Sequence, residues 1–433
     1  MDPWIVGSLG LCTLFFLMFL GMPIAFAMAL VGSIGFGLLG SLQGALYTVG
    51  QEVFLNASSY TYSVLALFIL MGEFASYGKI SERFFKTAFA WLGHLPGGLA
   101  MATIAGCAGF AAVSGSSTAT ALTMGRVAIP EMNRYEYDPK LSTGTVAAGG
   151  TLGILIPPSS VFIVYGALTG ESIAKLFIAG LLPGLLLAFL FILTVLALVK
   201  LNPRLAKKGR KTRMREKLSA LAGVVDMLAL IFLILGGLYA GFFTPNEAAG
   251  VGATAALIIG LARRSLTRDI CLAAFLSALK TIGMIYALII GASIFNKFMA
   301  LTNIPTLLTN FVLTFSMPPV LLIAAICLVY LFLGCIMDSL AITLITIPIL
   351  TPIFKVLGID LVWFGVIFCI CVEMALITPP VGINVWALSG IVKDVPMQVI
   401  FRGIFPFLFP MLLCLATVIA FPQVALFLPN LIK

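Results

Sequence analysis

Long apolar segments recur from one end of this chain to the other. Each runs for about 20 residues, the length that a helix needs to cross roughly 30 Å of hydrocarbon. Only 9% of the 433 residues are charged, whereas soluble domains carry roughly 25%. A transmembrane β-barrel would instead show short segments of alternating polarity. The sequence therefore predicts an all-α polytopic membrane protein, and it excludes a soluble enzyme or a nucleic-acid-binding protein.

Enzymatic signatures are missing from the sequence. His94 is the single histidine, the eight cysteines all lie in apolar segments, and no C-x-x-C pair occurs. These cysteines are expected to be small buried side chains rather than zinc ligands or disulfides. No nucleotide-binding loop and no zinc-protease motif are found either. The chain is therefore not expected to be an enzyme.

Proline positions show an internal repeat. When the numbering of the first half is shifted by 222, five of its prolines fall on prolines of the second half. The pairs are Pro23 and Pro245, Pro96 and Pro318, Pro130 and Pro352, Pro157 and Pro379, and Pro158 and Pro380. A chain that repeats itself in this way is typical of membrane transporters.

Each half contains the same series of apolar segments. We expect five transmembrane helices and one re-entrant helical hairpin per half, with the hairpins at 97–128 and 318–350. The first repeat covers 1–199, with scaffold helices in 1–96 and a hairpin and broken helix in 97–199. Residues 200–217 form a basic linker. The second repeat covers 218–433, with scaffold helices in 218–317 and a hairpin and broken helix in 318–433.

The distribution of basic residues predicts the orientation. An odd number of crossings per half inverts the second half, and the linker 200–217 carries nine Lys and Arg residues. Cytoplasmic loops are enriched in such residues, so the linker is expected to be cytoplasmic and both termini periplasmic. On this topology 21 of the 25 Lys and Arg residues lie inside. The net charge of +9 therefore reflects topology and indicates no anionic partner.

Four interruptions of helical backbone are expected within the membrane. Two are hairpin tips, at 114–118 and 335–339, and two are Pro-Pro breaks, in LIPPSS (155–160) and ITPPVGIN (377–384). Proline pairs free backbone carbonyl groups, which together with hydroxyl groups make an oxygen cage suited to Na⁺. The exposed helix N-termini would favour a carboxylate.

These interruptions predict two cation sites related by the repeat, for two or more Na⁺ ions. Polar side chains stand at matching positions of the two tips, because the same shift places Ser116 on Asp338 and Ser117 on Ser339. The alternative is that these side chains cap the broken helices. The candidate metal ligands are Ser114, Gly115, Ser116, Pro157, Asp338, Ser339, Thr378, Pro379, Val381 and Gly382. The tip residue Ser117 and the break residues up to Ser160 belong to the same region as the first site.

Candidate substrate ligands lie at the same interruptions. Asp338 is an acid far from any loop, and such residues indicate function in membrane proteins; it is expected to balance Na⁺ or to accept a substrate hydroxyl. Arg126 either contacts substrate or orients the chain, and Asn384 either contacts substrate or caps a helix. Three further acids are expected mainly to pair with lysine or backbone, namely Glu73, Glu247 and Glu373. The candidate substrate ligands are Ser116, Ser117, Ser159, Ser160, Asp338, Asn384 and Arg126.

Several motifs resemble the large membrane subunit of tripartite ATP-independent periplasmic (TRAP) transporters. They are GILIPPSSVFIVYG (153–166), GLLPG (180–184), VSGSSTAT (113–120), FTPNEAA (243–249) and TPPVGIN (378–384). The resemblance covers essentially the whole chain. It implies Na⁺-coupled uptake of an organic acid, of the sialic acid or C4-dicarboxylate type, across a bacterial inner membrane. It also implies an elevator mechanism, in which the hairpins and broken helices move against a scaffold.

The resemblance implies partners and site residues as well. A periplasmic substrate-binding protein would deliver the substrate, and a small four-helix membrane subunit is expected as a separate chain. Substrate and ions would be held by Ser114, Ser116, Ser117, Ser159, Ser160, Asp338 and Ser339.

Two alternatives stay open from the sequence. One is a stand-alone Na⁺/carboxylate symporter or ion exchanger that needs no binding protein. The other is a protein of a different class, an intramembrane enzyme or a passive channel.

Overall fold

The computed structural model describes residues 2–207, 213–314 and 318–431, and in these ranges the chain contains helices and no strand. The all-α fold predicted from the sequence is confirmed. The α-helices are α1 (Pro3–Phe19), α2 (Ile24–Leu39), α3 (Leu42–Ala57), α4 (Tyr60–Tyr77), α5 (Ile80–Leu92), α6 (Gly98–Ser114), α7 (Ser117–Arg134), α8 (Pro139–Gly150), α9 (Leu152–Leu155), α10 (Ser160–Thr169), α11 (Ile173–Leu201), α12 (Met214–Ala220), α13 (Ala222–Ile231), α14 (Gly237–Tyr239), α15 (Pro245–Ala262), α16 (Arg268–Leu301), α17 (Ile304–Thr314), α18 (Pro319–Gly334), α19 (Ser339–Leu357), α20 (Leu361–Ala375), α21 (Ile383–Ile391), α22 (Met397–Ala420) and α23 (Gln423–Leu431).

Helices of the two halves begin at corresponding positions. α7 and α19 start at Ser117 and Ser339, α8 and α20 start at Pro139 and Leu361, and both pairs keep the offset that relates the prolines. One difference lies in the first part of each half. There α3 and α4 are two helices that meet at 54°, whereas the equivalent stretch of the second half is the single 34-residue helix α16. The matching boundaries support the repeat, and its inversion across the membrane stays a prediction.

The two halves exchange equivalent contacts. Helix α2 packs on α16, and its counterpart α15 packs on α4. In the same way α7 packs on α21 while α19 packs on α10, and α8 packs on α22 while α20 packs on α11. Each half therefore completes the other, and a single hydrophobic core runs through both.

Each predicted hairpin consists of two helices separated by a short break. α6 and α7 meet at Gly115–Ser116, and α18 and α19 are separated by residues 335–338. Side chains at the second helix's N-cap, Ser116 and Asp338, occupy the equivalent place in the two halves. The breaks lie where the sequence analysis expected the tips. That each hairpin enters and leaves on one side of the membrane stays a prediction.

Six described helical segments are long and apolar enough to cross a membrane, and the bent pair α3–α4 would make a seventh. They are Pro139–Thr169, Ile173–Leu201, Met214–Tyr239, Arg268–Leu301, Ser339–Leu357 and Met397–Ala420. Other apolar helices assigned to crossings are shorter, such as Pro3–Phe19 with 17 residues and Ile24–Leu39 with 16. A multi-pass membrane protein is therefore confirmed, while the count of ten crossings stays a prediction.

Helix α5 joins the scaffold part of the first half to its hairpin. It docks on α12 and α13, where the Thr87 hydroxyl donates a hydrogen bond to the Ala220 carbonyl oxygen at 2.6 Å. Asp226 on α13 lies between two arginines: Arg83 Nε is 3.2 Å from one carboxylate oxygen, and an Arg263 guanidinium nitrogen is 2.9 Å from the other. This ion-pair cluster fixes α5 on the second half. The sequence analysis did not single out Asp226. The predicted basic linker, 200–217, includes the start of α12, and its residues 208–212 lie outside the described residues.

Candidate transport site

The first hairpin tip is built from Ser114, Gly115 and Ser116. Gly115 has a φ of +63°, a left-handed conformation that favours glycine and ends α6. The Ser116 side chain accepts a hydrogen bond from the Ala119 amide at 3.3 Å and so caps α7. The Ser114 hydroxyl lies 2.8 Å from the Thr120 hydroxyl. The tip is therefore a turn in which the hydroxyl groups of two serines are held by hydrogen bonds to the first turns of α7.

This tip contacts the first Pro-Pro break. The Gly115 carbonyl oxygen accepts two hydrogen bonds from Ser160, from its hydroxyl at 2.9 Å and from its amide at 3.2 Å. A Cβ on Gly115 would lie 2.8 Å from the Pro158 carbonyl oxygen. Ser159, next in the break, is buried and caps α10 through the Phe162 amide at 3.3 Å. The pairing of first tip with first break, expected from the sequence, is thus present as a direct contact.

The second tip contacts the second break in a corresponding way. The Cys335 sulfur lies 3.3 Å from the Pro379 carbonyl oxygen and 3.0 Å from the Leu331 carbonyl oxygen of α18, and its single proton can be donated to either oxygen. Asp338 Oδ1 accepts hydrogen bonds from the Leu340 and Ala341 amides at 2.6 Å and 3.1 Å and caps α19. The capping role considered for this acid is therefore present. A single carboxylate oxygen accepts both bonds.

The two breaks differ in exposure. Residues Pro157 to Ser159 are buried, whereas Pro379 to Val381 are exposed, and the Val381 side chain is 43% exposed. Gly382 follows with a φ of +58° at the start of α21. Because the two breaks occupy equivalent places in the chain, this difference distinguishes the environments of the two candidate cation sites.

A large cavity lies beside the first tip. It has a volume of about 580 Å³ and is bounded by α4, α5, α6, α7 and α16. Its walls include three predicted site residues, Ser114, Ser116 and Arg126. A cavity of this size accommodates a small organic molecule. The remaining predicted substrate ligands, Ser117, Ser159, Ser160, Asp338 and Asn384, do not line it.

Charged side chains of both signs line this cavity. Arg126 is exposed along α7, and Lys79 lies at the start of α5, while Glu73 and Glu82 are the acids. Glu73 faces Ser277 of α16, and among the described residues no lysine or arginine forms an ion pair with this acid. A guanidinium group can bind a carboxylate through two parallel hydrogen bonds, and Arg126 is therefore the residue best suited to hold an organic anion here.

The first tip also contacts the second half. The Thr118 hydroxyl donates a hydrogen bond to Asn384 Oδ1 at 3.0 Å. Asn384 is fully buried and its amide nitrogen has no hydrogen-bond partner. Glu373, also fully buried, faces the Ser117 hydroxyl, although neither carboxylate oxygen has a partner in hydrogen-bonding geometry. The expectation that Glu373 pairs with lysine or backbone is therefore wrong, because the tip of the other half faces it.

The remaining acid singled out in the sequence has a local role. Glu247 accepts a hydrogen bond from the Thr244 amide at 2.8 Å and forms a capping box at the start of α15. Its predicted pairing with backbone is confirmed. Lys297 lies 3.5 Å from a carboxylate oxygen of Glu52, an acid that sequence analysis did not single out.

Sequence reasoning missed Thr118 and Gly153 at this site. Thr118 is the last polar residue of the run SGSST (114–118), and that run is the signal that could have included it. Gly153 packs on the tip so closely that a Cβ would lie 2.5 Å from the Ser116 carbonyl oxygen. Helical spacing within one half cannot reveal such an approach between segments far apart in the chain.

A multi-pass helical protein whose interrupted helices border an accessible cavity has the architecture of a secondary transporter. The family profile described as "Tripartite ATP-independent periplasmic transporter, DctM component" matches residues 11–424. The chain belongs to this family, and it is a multi-pass transporter component of the inner membrane, not an enzyme.

Curated relatives are similar to this chain over more than nine-tenths of its length. The C4-dicarboxylate TRAP transporter large permease protein DctM of Pseudomonas aeruginosa is 36% identical, over 91% of this chain and 93% of its own length. The sialic acid TRAP transporter large permease protein SiaM of Vibrio cholerae is 32% identical, over 96% of both chains. The isethionate TRAP transporter permease protein DctMQ of Oleidesulfovibrio alaskensis is 34% identical, over 95% of this chain and 65% of its own length.

Solved transporter structures share the fold at low sequence identity. The YdaH transporter of Alcanivorax borkumensis superposes with a TM-score of 0.64 at 14% identity and 90% coverage of both chains. MtrF of Neisseria gonorrhoeae superposes with a TM-score of 0.61 at 15% identity, covering 90% of this chain and 84% of its own. This likeness concerns the fold alone.

Proposed function

We propose that this chain is the large permease subunit of a TRAP transporter that takes up an organic acid anion, of the C4-dicarboxylate or sialic acid type, by Na⁺ symport. The observation that carries the proposal is the cavity of about 580 Å³ that joins the first hairpin tip to Arg126. The cavity brings hydroxyl groups, a helix N-terminus and a guanidinium group together, and all three favour an anion with hydroxyl or carboxyl groups.

The relatives support this substrate class without selecting one member of it. DctM and SiaM are named for C4-dicarboxylate and sialic acid, and the sequence identity of the chain to the two proteins is similar, at 36% and 32%. Arg126 and Ser116 would bind the acid groups from the cavity wall. Ser117, Ser159, Ser160, Asp338 and Asn384 would contact substrate when the cavity extends toward the breaks.

Sodium coupling rests on the chemistry of the tips and breaks. Among the candidate ligands described, the side chains and freed carbonyl groups offer oxygen atoms, which suit a hard cation. Na⁺ would be held at one site by Ser114, Gly115, Ser116 and Pro157, and at the other by Asp338, Ser339, Thr378, Pro379, Val381 and Gly382. Ions bound there would supply positive charge that stabilises the substrate anion at the tips, and its uptake would thereby be coupled to the Na⁺ gradient.

The packing supports an elevator mechanism. The hairpins and broken helices of both halves pack on one another, through α7 with α21 and α19 with α10. The remaining helices pack mainly on one another, α2 with α16 and α15 with α4, and meet the first group along the contacts of α4 with α6 and of α16 with α19. In the proposed movement the first group of helices carries the site across the membrane, while the second group stays fixed as the scaffold. The cavity walls include Lys79 and Arg126, which the charge distribution assigns to the cytoplasmic side, so the structure would be open inward.

The tripartite family supports two partners: a small four-helix membrane subunit and a periplasmic substrate-binding protein. The transport test therefore uses all three components. The chain and its small subunit are reconstituted in proteoliposomes, and the binding protein is added with radiolabelled sialic acid or succinate. We expect accumulation that requires an inward Na⁺ gradient and the binding protein, with choline replacing Na⁺ as the control.

Other outcomes identify the alternatives. Accumulation by the chain alone, without either partner, would indicate a stand-alone Na⁺/carboxylate symporter and contradict the tripartite proposal. Flux that persists without any Na⁺ gradient and never exceeds equilibration would indicate a channel. Transport of neither acid by the complete assembly would contradict the proposed substrate class.

A further inference from the structure

Glu373 is the least satisfied acid in the described part of the chain. It lies in α20, two residues before the end of that helix, and is 1% exposed. Both carboxylate oxygens are buried, and neither has a hydrogen-bond partner. An ionised carboxylate without a partner is costly to bury. The group is therefore either protonated or, when ionised, in need of a donor, a fixed cation or a mobile cation.

Fixed partners for this charge are missing among the described residues. None of the basic residues on helices packed against α20 lies within 4 Å of it; they are Lys175 and Lys200 on α11, Lys355 on α19 and Arg402 on α22. The Ser117 hydroxyl, on the first residue of α7, faces the carboxylate. Helix α20 also packs on α9, where Gly153 lies against Ser117, so Glu373 is close to the first hairpin tip.

The equivalent position in the first half carries no charge. The offset between the halves places Thr151 on Glu373, and the Thr151 hydroxyl donates a hydrogen bond to the Ala148 carbonyl oxygen at 2.6 Å. At the tips the acid is on the other side of the comparison, because the second tip has Asp338 where the first has Ser116. The second tip thus has its own acid, Asp338, whereas the acid near the first tip, Glu373, comes from the second half.

We propose that Glu373 supplies the counter-charge for a cation bound at the first hairpin tip, acting across the contact between the two halves. The inference rests on the Na⁺ coupling of the proposed function and deepens it. A cation at Ser114, Gly115 and Ser116 would otherwise meet neutral oxygens alone, whereas Asp338 balances the second site directly. Glu373 is therefore a positioning residue for this cation, and Ser117 lies between the two.

Thermal unfolding of the purified chain with its small subunit tests the proposal without measuring transport. NaCl is titrated against choline chloride at constant ionic strength, which separates specific binding from screening. For Glu373→Gln we expect a higher unfolding temperature than wild type in choline, because a buried unpaired charge is removed. We also expect about a tenfold increase in the Na⁺ concentration for half-maximal stabilisation, the loss of one charge-assisted interaction.

Two further variants make the outcome specific. Asp360→Asn removes a carboxylate from the start of the same helix and retains the cap on the Trp363 amide, so its Na⁺ dependence should equal that of wild type. Glu373→Asp keeps the charge and should retain most of the Na⁺ response. A Glu373→Gln variant with lower stability in choline and an unchanged Na⁺ response would show a structural role and overturn the proposal.

The remaining outcomes separate this proposal from the proposed function. If wild type is stabilised by Na⁺ and Glu373→Gln responds equally, the counter-charge role is wrong while Na⁺ coupling stands. If the stability difference between the two proteins in choline changes with pH while their Na⁺ responses agree, Glu373 carries a proton instead, and the proposal fails. If wild type itself shows no response specific to Na⁺, both proposals fail.

Discussion

Thr118 and Asn384, separated by 266 residues of sequence, share a hydrogen bond of 3.0 Å between Thr118 Oγ1 and Asn384 Oδ1. The bond joins the first hairpin to the helix that follows the second break. The Asn384 amide nitrogen is buried and unpaired. Among the described residues, the bond to Thr118 is therefore the only hydrogen bond of the Asn384 side chain. The polar tip of the first half is therefore joined directly to the broken helix of the second half.

Removing this bond should weaken the contact between the halves. Thr118→Val keeps the side-chain shape and leaves the whole buried Asn384 amide without a partner, for an expected loss of about 1–3 kcal/mol of stability. Thermal unfolding in detergent measures the loss. Thr254→Val is the matched control, because that exposed hydroxyl bonds to its own helix at the Gly250 carbonyl. Equal unfolding temperatures for the two variants would contradict the prediction.

Gly115→Ala should abolish transport by separating the first tip from the first break. An added Cβ would meet the Pro158 carbonyl oxygen at 2.8 Å, at a φ of +63°. Gly170→Ala has a similar backbone, with a φ of +79°, and open space around the Cβ. It should lose about 1 kcal/mol of stability and keep its uptake. Proteoliposome uptake compares them, and loss of uptake in both variants would assign the effect to backbone strain alone.

Two substitutions at Asp338 separate charge from capping. Asp338→Asn keeps an oxygen that can accept from the Leu340 and Ala341 amides but lacks the charge, so Na⁺-driven uptake should fall about tenfold while folding is retained. Asp338→Ala should lose about 1 kcal/mol in addition. Uptake against Na⁺ concentration and thermal unfolding are measured for both. Normal uptake by Asp338→Asn would restrict this acid to capping α19.

Arg126→Gln should weaken substrate binding from within the cavity. A charge-assisted hydrogen bond contributes about 1.5–3 kcal/mol, which predicts a KM increase of about ten- to a hundredfold. The control is Arg134→Gln, at the last residue of the same helix and outside the cavity lining. Both KM values come from initial uptake rates at saturating Na⁺. An unchanged KM in Arg126→Gln would indicate that this charge only orients the chain.

Asp226→Asn should destabilise the junction of α5 with the second half. The Asp226 carboxylate raises the pKa of the Arg263 guanidinium above its ordinary value through a hydrogen bond, and it also contacts Arg83 at 3.2 Å. Because both arginines are partly exposed, the expected loss is about 2 kcal/mol rather than that of a fully buried pair. Thermal unfolding measures it.

An exposed ion pair gives the control for Asp226. Lys207 and Glu136 pair at the surface, with both side chains more than half exposed. Glu136→Gln should change stability by less than about 0.5 kcal/mol. If Asp226→Asn had an equally small effect, the arginine cluster would contribute nothing to the docking of α5.

The features predicted from the sequence are those that depend on nearby residues or on the repeat. Apolar length, proline pairs and the run of small polar residues located most of the long apolar helices, both tips and both breaks, whereas the less apolar helix α3 was not predicted. The offset between the halves correctly paired Ser116 with Asp338, which both cap the second helix of a hairpin.

The features that the sequence did not predict depend on contacts between halves. Glu373 stands inside an apolar segment, and nothing near it in the chain indicates that Ser117 of the other half faces it. The same holds for Asp226, which lies between one arginine of each half. Gly153 and Ser116 belong to the same half, but they lie on segments that are distant in the chain. Helical periodicity defines the faces of a single helix and carries no information about which distant helix covers each face.

The exchange of helices between the halves has a consequence for biosynthesis. Helix α2 ends at Leu39, but its principal partner α16 extends to Leu301, and α4 likewise depends on α15. While the ribosome is still making the second half, the first therefore lies in the membrane without the surfaces that complete it. A gene fragment that encodes only the first half should yield a product that the cell's quality-control proteases remove, and co-expression of the missing fragment should rescue it.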